Sequence, residues 1–129
     1  MSMEKLFYIV MMTYNEKPIL LATLSYDGVY YSYKPYNIDT CKIPRITKEF
    51  KRKTPPHLLL RRTYSEGRPD LSHLLDQMGL KKYDLWTMVE LTEGTLETDD
   101  IKFLTIDGLR KRGLEYLAKE TSAEVYEWA

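Results

Sequence analysis

Two runs of β-branched and aromatic residues, ILLATLSY (19–26) and VYYSY (29–33), meet at Asp27-Gly28. That junction constrains the fold more than any other feature. Asp-Gly tolerates positive φ, so the chain is expected to reverse there in a tight hairpin turn. Upstream, KLFYIVMMTY (5–14) is a further extended run, and NEKP after it carries turn chemistry. The expectation is a three-stranded antiparallel meander. Alternation places Val29, Tyr31 and Tyr33 on one face, with Tyr30 and Ser32 on the other. Five of the eleven tyrosines lie between residues 25 and 36. Tyrosine suits a sheet with one dry and one wet face, because its ring packs while its hydroxyl reaches water. A platform for stacking bases brings cations among its aromatics. Along the chain only Lys34 is close.

From Asn37 to Thr54 the pattern dissolves into polar and basic residues, expected to form a long loop with one short strand near CKIPRI (41–46). It ends at Thr54-Pro55-Pro56, where a helix cannot continue. The second half reads as helical. Leu71, Leu74, Leu75 and Met78 fall at i, i+3, i+4, i+7. Pro69 suits the first turn of that helix and Gly79 its left-handed close. Asp84 is a candidate N-cap for a second helix whose buried side is Leu85, Met88 and Val89. DDIKFLTI (99–106) reads as a strand with Ile101 and Phe103 on one side. Asp107 is then expected to cap GLRKRGLEYLAKE (108–120), with Leu109, Leu114 and Leu117 as a stripe and Gly113 as an internal cost of about 1 kcal/mol. The fold class is therefore α+β. The 129 residues suit a single domain, strand-rich over 1–54 and helix-rich over 55–129.

The formal charge is zero, but its distribution is uneven. Nine bases face two acids between Lys42 and Arg68, while acids outnumber bases about two to one from Asp84 onward. Such asymmetry orients a partner by charge, and it is also common on solvated surfaces. The lone Cys41 forms no intrachain disulfide, and no apolar run approaches bilayer length, so a cytoplasmic protein without membrane contact is expected. The start reads as a strand rather than a secretory signal. Near the other end, Tyr126 and Trp128 are expected to pack back onto the body.

Catalytic chemistry finds little support. His57 and His73 lack a neighbouring Cys or acid at ligand spacing, so each reads as structural rather than as a metal ligand. Cys41 sits among bases but has no local base pattern for a nucleophile. Gly67 and Gly79 are isolated, and Asp99-Asp100 lacks further oxygen ligands for Ca²⁺. No cofactor is expected. Nucleic acid ranks below protein as a partner. The two helices followed by a strand admit a winged-helix reading, yet YDLWTMVE has acids at both ends and no base-reading side chain between them. A small inhibitor carried by a mobile element also fits this size and charge.

NEKPILLATLSYDGVYYSY, Pro55-Pro56 with Leu58-Leu59-Leu60, and MGLKKYDLWTMVE occur in an order that resembles the N-terminal subdomain of HipA-type toxin kinases over about residues 6–95. That subdomain runs strand, turn and aromatic strand, then a Pro-containing loop, a leucine-rich segment and two short helices. Here RRTYSEGRPD replaces the family's Pro-Gly run, the Gly-Ala pair after the second helix is missing, and the chain from Asp107 onward has no counterpart. In split modules the subdomain is a separate small protein that binds the kinase. The resemblance thus implies a non-catalytic, antitoxin-like docking protein that restrains a separately encoded HipA-like Ser/Thr kinase. The expected contact is an aromatic anchor, Trp86 with Tyr83 or Tyr64, flanked by Arg61, Arg62 and Arg68. The alternative for Trp86 is core packing.

Overall fold

In the computed structural model, which describes residues 5–12, 17–36, 49–96 and 100–119, the KLFYIVM run is the strand β1 (Lys5–Met11). Phe7, Tyr8, Ile9 and Val10 are all buried. A strand apolar at both parities must be covered on both faces, and β1 lies inside a sheet that is. It pairs antiparallel with β2 (Ile19–Tyr26) on one side and β5 (Ile101–Leu104) on the other. Beyond β2 come β3 (Tyr31–Pro35) and β4 (Phe50–Arg52), giving five antiparallel strands in the order β4-β3-β2-β1-β5.

The register between β1 and β2 shifts at Ile9/Val10, so that Ile9 faces Ala22 but Val10 faces Leu20. A bulge inserts one residue and lets neighbours share a side. Leu21 and Ala22 consequently both join the first core cluster, with Phe7, Ile9, Leu24, Tyr33 and Phe103. Leu20 joins the second, with Tyr8, Val10 and Leu104. The first cluster is closed by Leu59 of α1 (His57–Leu60) and by Trp86 and Val89 of α3 (Leu85–Thr92). The second is closed by Leu109 of α4 (Ile106–Lys111) and by Leu114 and Leu117 around a 3-10 turn at Glu115–Leu117. The α+β class holds. The one-wet-face expectation fails at the β1–β5 side, where Tyr8, Val10 and Leu104 need cover of their own.

The Asp27-Gly28 reversal is present but wider than two residues. Tyr26 pairs with Tyr31, leaving Asp27 to Tyr30 as the connection. Asp27 Oδ1 accepts the N–H groups of Val29 and Tyr30, each at 2.8 Å, a side-chain substitute for a backbone turn. Val29 is therefore outside the strand and exposed, while Tyr31 and Tyr33 share the inner face. The inner tyrosines are structural. Tyr31 stacks on Tyr26 with centroids 4.3 Å apart, and Tyr33 on Phe50 at 5.0 Å. The second stack anchors β4 inside the segment expected to be loop. One apolar residue among bases is too short a pattern to signal a strand. The strand expected at 41–46, Cys41, Asp99 and the Tyr126/Trp128 tail lie outside the described residues.

The helix α2 (Leu71–Met78) has Asp70 at its N-cap, which leaves Pro69 before the first turn rather than in it, and Gly79 closes it in the left-handed conformation. Asp84 caps α3 as expected, accepting from Thr87 N–H at 3.0 Å and Thr87 Oγ1–H at 2.6 Å. For α4 the cap is Thr105, which accepts from Gly108 N–H at 3.1 Å; Asp107 lies within the first turn. Gly113, at φ +70°, ends that helical segment, so the expected 108–120 helix is divided at the glycine. Its three leucines are nonetheless all buried. No helix among the described residues is long and apolar enough to cross a membrane.

Candidate functional site

Of the four apolar residues on α2, only Leu75 is buried; Leu71, Leu74 and Met78 remain half-buried. The helix α3 is also over-supplied: Leu85, Trp86, Met88, Val89 and Leu91 make five apolar positions in eight. That is more than one face can hide. Trp86, Met88 and Val89 turn inward, Leu85 is half-buried, and Leu91 is left 52% exposed. Between α2 and α3 this leaves an open groove of about 270 Å³ lined by Tyr64, Leu74, Gln77, Met78, Leu91 and Thr92.

The Tyr64 wall is held from two sides. Tyr83 Oη–H donates to the Tyr64 carbonyl at 2.9 Å. The Arg68 guanidinium lies 4.9 Å from the Tyr64 ring centroid, and its Nε–H donates to the Asp70 carboxylate at 2.5 Å. That bond holds the Asp70 carboxyl below the ordinary range and the Arg68 guanidinium above its own. Burial, then the charges of Glu66 and Asp84, push the Tyr83 phenol up, so it stays a donor. The loop from α1 to α2 thus presents Tyr64, 37% exposed, on a braced backbone.

The six expected contact residues divide. Tyr64 lines the groove, and Tyr83 and Arg68 brace it. Arg61 is exposed at the end of α1. Arg62 reaches across to the sheet: Nη1–H donates to the Gly94 carbonyl at 3.2 Å, and the guanidinium lies 5.5 Å from the Phe103 ring. Its place is a strut between α1 and the α3–β5 turn. Trp86 is only 5% exposed and stacks on Phe7 at 4.1 Å and 13°. Trp86 thus takes the core-packing alternative, with positions 86 and 89 of the helix capped by Asp84 both meeting the sheet. Leu74, Gln77, Met78, Leu91 and Thr92 are the residues that sequence reasoning missed. The excess of apolar positions on α3 was the available signal.

His57 and His73 are both exposed, and no group of three or more His, Cys, Asp or Glu side chains suited to a metal ion occurs among the described residues. No family model, curated protein or solved structure matches the chain.

Proposed function

We propose that this chain is a non-catalytic, cytoplasmic binding module that docks through the α2/α3 groove onto a separately encoded HipA-like Ser/Thr kinase and restrains it. The carrying observation is the groove itself: half-buried Leu74 and Met78 and exposed Leu91 on two short helices, beside a tyrosine whose backbone is pinned. A preorganised apolar slot suits one aliphatic or aromatic side chain of a partner, and little ordering entropy is lost on filling it. Arg68, beside the Tyr64 ring, is already paired with Asp70, so apolar contact rather than charge is expected to dominate in the groove. Covering what remains exposed of Leu91 and Tyr64 contributes on the order of 1 kcal/mol each. Contacts beyond the groove supply the rest of a standard interface, roughly 800 Å² per partner. The choice of a HipA-like kinase as the partner rests on the resemblance of residues 6–95 to the HipA N-terminal subdomain.

The test is capture of a tagged copy from its native host, with wild type beside Leu91→Asp. A co-purifying HipA-like kinase, lost in Leu91→Asp while circular dichroism and melting stay unchanged, is the expected result. Undiminished capture by the folded variant removes the groove from the interface. Absence of any kinase removes the partner assignment.

A further inference from the structure

The β3–β4 pairing joins two features that are separate along the chain, the tyrosine-rich run and the basic segment. Tyr31 faces Arg52 and Ser32 faces Lys51 across that pair. Phe50 and Arg52 lie on the inner side with the Tyr33 stack. Lys51 points to the other side, that of Ser32, and its Nζ lies 4.9 Å from the Tyr30 ring centroid. Lys53 Nζ lies 5.7 Å from the same ring. Two ammonium groups, both on exposed residues, thus lie over the ring of the half-buried Tyr30. Among the described residues no carboxylate forms an ion pair with Lys51, Arg52 or Lys53. The nearby Asp27 directs Oδ1 to the N–H groups of Val29 and Tyr30 and also attracts Lys51 through space without an ion-pair contact. Ser32 and, across β2, Ser25 and Thr23 add hydroxyls on the same side.

From this geometry we propose a second surface, independent of the α2/α3 groove, that binds single-stranded nucleic acid, with Tyr30 stacking a base and Lys51 and Lys53 holding the adjoining phosphates. An aromatic face with flexible cations at its margin is what a sequence-tolerant strand binder needs. Lysine stems are long enough to leave the ring for a phosphate while a base takes their place. An acidic peptide satisfies the ammonium groups but has no use for the ring beneath them. Lysines on an outermost strand also discourage sheet-to-sheet pairing. That role predicts no affinity for an oligonucleotide.

Fluorescence anisotropy of a labelled oligothymidylate with the full chain, titrated across salt concentrations, tests the surface. Two phosphate contacts give a slope of log K on log salt near −1.4, taking about −0.7 per phosphate on a single strand. Lys51→Ala/Lys53→Ala should abolish that slope. Tyr30→Ala should weaken binding about tenfold and leave the slope in place. Leu91→Asp should change neither. No binding, or binding unaltered in the folded Tyr30, Lys51 and Lys53 variants, overturns the proposal. Equal competition by polyglutamate, or an equal affinity for a duplex of the same length, overturns the single-strand assignment.

Discussion

At Gly94 the backbone adopts φ +61°, and a Cβ added there would meet the Phe103 side chain at 3.1–3.2 Å. Phe103 cannot yield, since it is fully packed in the first cluster and meets Phe7 edge-on at 5.9 Å. Gly94→Ala therefore combines left-handed strain with overpacking, and should destabilise by about 2–4 kcal/mol in urea denaturation. The preceding Glu93 also has positive φ, 57°, yet carries a side chain. Its carboxylate accepts two bonds from the Arg112 guanidinium, each at 2.7 Å, tying the end of α3 to the end of α4. A paired glutamate is thus accommodated where a bulkier aliphatic residue would carry the strain without the pairing.

Two elements show how local chemistry sets boundaries. The Asp84 carboxyl lies below its ordinary range, chiefly through the Thr87 hydroxyl and also the Thr87 N–H, while burial opposes both. A depressed carboxylate contributes stability that is fully present above its unfolded-state pKa and lost as pH falls through the folded one. The melting temperature should therefore drop as pH is lowered through and below the ordinary aspartate range, and Asp84→Asn should flatten that dependence. At Gly113 the sign of one substitution separates two helices. Were 108–120 continuous, Gly113→Ala would stabilise by about 1 kcal/mol. With φ at +70° and nothing within 4 Å of an added Cβ, the backbone cost alone remains. Gly113→Ala should destabilise by about 1 kcal/mol, measured by thermal melting.

Over the whole molecule, β1 serves two cores at once. Trp86 and Leu109 belong to opposite clusters, yet Phe7 and Tyr8, adjacent on β1, reach one each. Trp86→Ala and Leu109→Ala should each destabilise by about 3 kcal/mol. Both variants should unfold in a single transition, with near- and far-ultraviolet circular dichroism coinciding, because neither layer keeps its floor without the shared strand. Separate transitions would mean that the layers are independent. The two proposed binding surfaces use different parts of this frame, the α2/α3 groove over one layer and the β3–β4 end of the sheet.

Local chemistry was legible in the chain itself. Asp27-Gly28, the Asp84 cap, the Gly79 stop and the leucine spacing on α2 depend on residues within a few positions of one another. The sequence by itself therefore determined the reversal, the helix pair, the later strand and the α+β class. Only the tertiary structure decided which apolar side chains were left over. Burial of Trp86 and exposure of Leu91 follow from how α3 is phased against a sheet whose strands come from distant parts of the chain. The same holds for Lys51, two dozen positions from Asp27 and brought beside Tyr30 only by cross-strand pairing. Contacts of that range depend on register, and register is a property of the assembled sheet rather than of any one strand.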